Sequence, residues 1–101
     1  MPEFTVAKAA DVPPGEARAV EAGGRTLALF NVGGKFYAID NTCVHRGGPL
    51  AEGALEDTVV TCPWHGWQYD VTSGAIQHMP GRHVAAYRVR VEDGEVRVSV
   101  D

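Results

Sequence analysis

The chain is predicted to be an all-β, antiparallel domain, and three observations carry that expectation. Apolar residues alternate with polar ones in short runs, glycine pairs or an Asp-Gly step separate consecutive runs, and no stretch sustains the 3.6-residue apolar period of a capped helix. The first run covers residues 4–8. Pro13, Pro14 and Gly15 then break any helix that the alanines of residues 7–22 would favour. Strands at 16–22, 25–32 and 35–40 follow, joined at Gly23-Gly24 and Gly33-Gly34 as two-residue hairpins, because glycine reaches the positive φ of the primed turns. After a long interruption the pattern returns at 84–91 and 95–100, with Glu92-Asp93-Gly94 as the turn between them.

Length and composition bound the rest. At 101 residues and 10.8 kDa, residues 1–101 are expected to form a single domain. With 45% hydrophobic and 22% charged residues the composition is that of a globular protein and not of a disordered tail. No apolar run approaches the ~20 residues of a transmembrane helix. Met1-Pro2-Glu3-Phe4 lacks the basic start and apolar segment of a signal peptide, so a cytoplasmic location without membrane contact is expected. Thirteen acidic residues against nine basic ones give a net charge of -4, which argues against nucleic acid as a partner. Arg88, Arg90 and Arg97 alternate with valines and read as the solvated face of strands.

Residues 41–81 have another character. This glycine- and proline-rich block holds both cysteines, both tryptophans and three of the four histidines, with His83 just beyond it. A β scaffold carrying a functional excursion is the natural reading, since sites are commonly loops held on a rigid frame. Within it stand Cys43-Val44-His45-Arg46-Gly47-Gly48-Pro49-Leu50 and, after sixteen intervening residues from His45, Cys62-Pro63-Trp64-His65-Gly66-Trp67. Each segment offers one sulfur and one imidazole, and such a set binds tetrahedral zinc or an iron-sulfur cluster. Common zinc sites pair two cysteines in one turn. Here each turn is mixed, which suits two metals better than one, and a structural disulfide would waste the neighbouring histidines.

The text C-x-H, sixteen residues, C-x2-H resembles the motif of the Rieske iron-sulfur family. The likeness extends through Gly48-Pro49-Leu50, Glu52-Gly53, Trp67 and Tyr69-Asp70, so about the central 40 residues carry it. It implies an antiparallel β-sandwich with a cluster-binding subdomain inserted between strands at about 41–81. It also implies one [2Fe-2S] cluster, with Cys43 and Cys62 on the inner iron and His45 and His65 on the outer one. Two ferric ions, two sulfides, two thiolates and two neutral imidazoles sum to no formal charge, so an electron enters more easily than at an all-thiolate cluster. Around the ligands, Gly47, Gly48 and Gly66 are turn formers or donors of backbone amides to the sulfides. Tyr69 matches a tyrosine that hydrogen-bonds the sulfur of Cys43, and Met79-Pro80-Gly81 matches the proline loop that covers the cluster.

Two departures from the high-potential members matter. Gly48 and Trp64 stand where those proteins have a second pair of cysteines joined as a disulfide, and Trp67 stands where they have a serine that donates to a sulfide. A midpoint at the low end of the range, on the order of -150 mV, follows from losing that disulfide and that donor.

No second catalytic constellation accompanies the motif, and about a hundred residues cannot also hold the mononuclear iron domain of an oxygenase. The expected role is therefore a one-electron carrier between a flavoprotein reductase and a Rieske-type ring-hydroxylating oxygenase. Two other roles fit the same text: the small subunit of an NAD(P)H-dependent nitrite reductase, bound to its large subunit, and a zinc-braced interaction module. His78 and His83 lie outside the motif and read as solvated loop histidines. Replacing His65 by alanine is expected to abolish cluster absorption, while His78→Ala leaves it; visible spectra of the two variants after anaerobic reconstitution check the assignment.

Overall fold

The computed structural model describes residues 3–43, 47–64 and 66–100. Among them nine strands run in the order β1 (Glu3–Lys8), β2 (Ala17–Ala22), β3 (Arg25–Val32), β4 (Lys35–Asp40), β5 (Ala54–Glu56), β6 (Val59–Thr61), β7 (Gln68–Asp70), β8 (Ala86–Glu92) and β9 (Glu95–Ser99), with 3-10 turns at Ala9–Asp11 and Leu50–Glu52. All the pairings are antiparallel. A six-stranded sheet has the order β1-β9-β8-β4-β3-β2, and β5-β6-β7 form a separate small sheet inserted between β4 and β8.

The hairpins follow from their turns. Gly33 and Gly34 take φ of 60° and 98°, Asp93 and Gly94 take 54° and 76°, and two consecutive left-handed residues give the turn whose twist matches that of paired strands. Register is then fixed by burial. Strand β3 has no solvent face in its middle, because Leu27, Ala28, Leu29 and Phe30 are all fully buried. Since successive side chains point to opposite faces, the strand serves two cores. Leu27 and Leu29 join Val20, Ala22, Ala38, Val96, Val98 and Val100 between the two halves of the large sheet. Ala28 and Phe30 join Ile39 on the other face, against Leu50, Val60, Tyr69, Val71, Ile76 and Val84 of the insertion, and this second core also contains Cys43 and Cys62. Burying Phe30 alone is worth about 1.5–3 kcal/mol.

Several boundaries differ from the sequence expectation. Glu16, Val84, Ala85 and Val100 fall outside the strands. Val84 donates its N–H to the Gly74 carbonyl at 2.9 Å, so it is tied to the insertion, whose short bridge at Ala75 and His83 closes beside it. The small sheet was not anticipated at all. Its three-residue strands are too short to display a period of two, and their pairing is set from outside by Phe30, Ile39 and the rest of the shared core. Asp57, with φ of 54°, makes the β5–β6 turn without a glycine. Arg88 and Arg90 are exposed and Arg97 is half-buried, and two of the three are paired among the described residues: Arg90 donates to both carboxylate oxygens of Glu3 at 2.7 and 2.8 Å, and Arg97 donates to Glu95 at 3.1 Å. Exposed pairs of this kind add little stability.

The two halves of the large sheet meet at only two residue pairs, Ala38 with Tyr87 and Ile39 with Ala86. Side chains reinforce the seam. The Tyr87 hydroxyl donates to Asp40 Oδ1 at 2.6 Å, Arg25 Nη1 donates to the Tyr87 oxygen at 3.2 Å, and the Ala85 amide donates to Asp40 Oδ2 at 3.2 Å. Partial burial, together with the hydrogen bond to the Asp40 carboxylate, raises the phenol above its ordinary value of 10.0. A raised value in the folded state means that the protonated phenol stabilises the fold below pH 10, and that this contribution is lost as pH climbs through the raised value. Tyr87→Phe is expected to cost about 1 kcal/mol at neutral pH and to flatten the alkaline fall in stability; denaturant titrations between pH 7 and strongly alkaline pH measure both.

Candidate metal centre

The two segments singled out by the sequence fold into loops of the same construction. In the first, the Cys43 N–H donates to the Gly48 carbonyl at 2.9 Å and the Gly47 N–H donates to the Cys43 carbonyl at 2.7 Å. In the second, the Cys62 N–H donates to the Trp67 carbonyl at 2.7 Å and the Gly66 N–H donates to the Cys62 carbonyl at 3.1 Å. Each loop thus closes from the cysteine to the fourth and fifth residues after it. The fourth residue must be left-handed, with φ of 75° at Gly47 and 76° at Gly66, which is why glycine stands at both positions. These two amides go to cysteine carbonyls, so of the two roles expected for Gly47 and Gly66 the structure supports turn formation.

Both loops hang from strands that the shared core positions. The first continues β4, with Asn41 fixing its far end by accepting the Leu50 amide at 2.7 Å on its carbonyl and the Ala51 amide at 2.9 Å on its side-chain oxygen. The second connects β6 to β7. Cys43 and Cys62 are each 2% exposed and neither is in a disulfide. The fully buried Tyr69, on β7, sets its hydroxyl 3.1 Å from Cys43 Sγ. Gly48 is pressed against the other cysteine, because a Cβ built on it would lie 2.7 Å from Cys62 Sγ.

Around this pair, Trp67 and Met79 are half-buried against the same core. The His78 ring meets Trp67 edge-on at 4.6 Å and 86°. His83 Nδ1 lies 3.1 Å from the Val84 carbonyl. Both histidines outside the motif are exposed, as the sequence reading has them, and each also makes one of these local contacts. Pro80 is exposed, in the turn that Arg82 closes by donating its N–H to the Met79 carbonyl at 3.0 Å. His45, His65 and Arg46 lie outside the described residues. What sequence reasoning missed is the contact of Gly48 with the Trp64 ring, since two residues sixteen positions apart in separate loops carry no local signal of touching.

The arrangement fits a metal cluster. Two buried thiols outside any disulfide, in equivalent turns and one with a phenolic hydroxyl at its sulfur, are soft donors of the kind such a cluster takes. Comparison with known proteins agrees. A model of the Rieske [2Fe-2S] domain matches residues 3–98. Ferredoxin CarAc of Metapseudomonas resinovorans is 38% identical over 96 residues, covering 93% of this chain and 90% of the relative. The ferredoxin of carbazole 1,9a-dioxygenase from Nocardioides aromaticivorans IC177 superposes with a TM-score of 0.92 at 29% identity over 100% of both chains. A chain from a complex of reduced oxygenase and oxidised ferredoxin in carbazole 1,9a-dioxygenase superposes at 0.87 with 36% identity, covering 96% of this chain and 92% of that one. With its paired cysteine loops on a two-layered β scaffold, the chain belongs to the Rieske [2Fe-2S] domain family, and its cofactor is a [2Fe-2S] cluster.

Proposed function

We propose that this chain is the ferredoxin component of a ring-hydroxylating dioxygenase system, taking single electrons from a flavoprotein reductase and delivering them to a Rieske-type oxygenase in the cytoplasm. It turns over no substrate of its own. The observation that carries this reading is the pair of like-built loops, each presenting a buried cysteine outside any disulfide, in a chain that aligns nearly end to end with ferredoxins of such systems. No helix among the described residues is long and apolar enough to cross a membrane.

In this reading Cys43 and Cys62 hold one iron as thiolates, and His45 and His65 hold the other through neutral imidazoles. The cluster, when bound, supplies one-electron redox chemistry at a site whose oxidised form has no net charge. The residues of the chain tune and protect it. Tyr69 donates its hydroxyl to the Cys43 sulfur, and a donor to a thiolate favours the state with more negative charge. The core around Phe30, Leu50 and Val60 keeps water from both sulfurs and holds the loops in one geometry. Gly47 and Gly66 keep the loops closed, and the Met79-Pro80 turn flanks them.

Two measurements test the proposal. Anaerobically reconstituted protein should contain two irons and two acid-labile sulfides per chain, give a low-average-g paramagnetic signal when reduced with dithionite, and titrate on the order of -150 mV. As a carrier it should behave as a free monomer that a flavoprotein reductase reduces and a Rieske oxygenase reoxidises. Co-purification with a large sirohaem protein would instead make it the small subunit of a nitrite reductase. Tyr69→Phe should retain the cluster and lower the midpoint by some tens of millivolts, on the order of one lost hydrogen bond to a charged sulfur; a redox titration of the variant reads the shift.

A further inference from the structure

We infer that Trp64 is a positioning residue: its ring, laid on Gly48, clamps the two cysteine loops together and keeps water from the Cys62 sulfur. The inference rests on the ligand role proposed above for Cys62. Trp64 is 57% exposed, an unusual placement for the largest apolar side chain, whereas Cys62, two residues earlier, is 2% exposed. Part of the indole is covered where it lies against Gly48, beside the Cys62 sulfur. A Cβ built on Gly48 would lie 3.1 Å from Trp64 Cγ, 3.2 Å from its Cδ2 and 2.7 Å from Cys62 Sγ. The backbone of the first loop is therefore seated in a notch whose walls are the Cys62 sulfur and the Trp64 ring.

The backbone hydrogen bonds of Cys43 with Gly47 and Gly48, and of Cys62 with Gly66 and Trp67, each close one loop on itself. Packing at this notch joins one loop to the other. An indole is suited to the task, since it covers a large area with only two rotatable bonds. It also requires glycine at position 48, because any side chain there would displace the ring or the sulfur. A sulfur bound to iron and opened to water gains hydrogen bonds and becomes accessible to chelators and oxidants.

The test compares reconstituted wild type with Trp64→Ala, Trp64→Leu and Trp64→Phe, reading the rate of iron release to a ferrous chelator and the midpoint potential, with no partner protein present. Trp64→Ala is expected to release iron about ten-fold faster and to titrate at a higher midpoint than wild type. Trp64→Phe should restore both to near wild type, and Trp64→Leu, which covers less area, should fall between Trp64→Phe and Trp64→Ala. Should Trp64→Ala not load, faster iron release from Trp64→Leu than from Trp64→Phe supports the clamp, and wild-type release from both overturns it. Wild-type release and midpoint in Trp64→Ala would overturn it. A wild-type chain that takes up no cluster overturns the ligand assignment itself, and this inference with it.

Discussion

The burial of residues 27–30 on both faces of one strand is the constraint from which the rest of the structure follows. Leu27 and Leu29 can reach the core between the halves of the large sheet only if Ala28 and Phe30 project the opposite way. A slip of one residue would exchange the two sets, placing leucines against the insertion and leaving the scaffold core with an alanine and a phenylalanine in the wrong positions. The insertion therefore does not decorate a finished sandwich. It completes the second face of a strand that would otherwise expose Phe30, and the cysteines come with it as members of that core.

From this platform the site needs little further machinery. Two loops of one design each require a single left-handed glycine, and the strands that carry them, β4, β6 and β7, are fixed by packing and not by the loops themselves. Tyr69 shows how closely the layers are coupled: its ring is part of the core and its hydroxyl reaches a cysteine sulfur, so one side chain serves packing and electrostatics together. The glycines at 53 and 74 make the same point in backbone terms. Their Cα atoms pack against the carbonyls of Thr61 and Val84, where a Cβ would collide, and so they let the small sheet and the turn before β8 close onto the site.

Much of this was legible in the sequence, and the boundary of legibility has physical causes. The six scaffold strands were readable because they are long enough to alternate and because Gly23-Gly24, Gly33-Gly34 and Asp93-Gly94 punctuate them. The cysteines and Tyr69 were readable because their residue types are uncommon and their spacing is informative. Strands β5 to β7 were not, since three residues cannot show a period and their order is imposed by a distant core. The edge of Trp67 against His78, and the ring of Trp64 against Gly48, were equally hidden: such contacts are made between chain segments whose separation carries no rule.

The two cores divide the molecule unevenly with respect to iron. The one between the halves of the large sheet, built around Val20, Leu27, Leu29, Val96 and Val98, has no sulfur or imidazole among the described residues, while the other has both thiols among its buried members. The lobe and the framework nevertheless share that second core, so a loss of order around the thiols reaches the framework first at Phe30 of β3 and Ile39 of β4, the scaffold side chains that face the lobe.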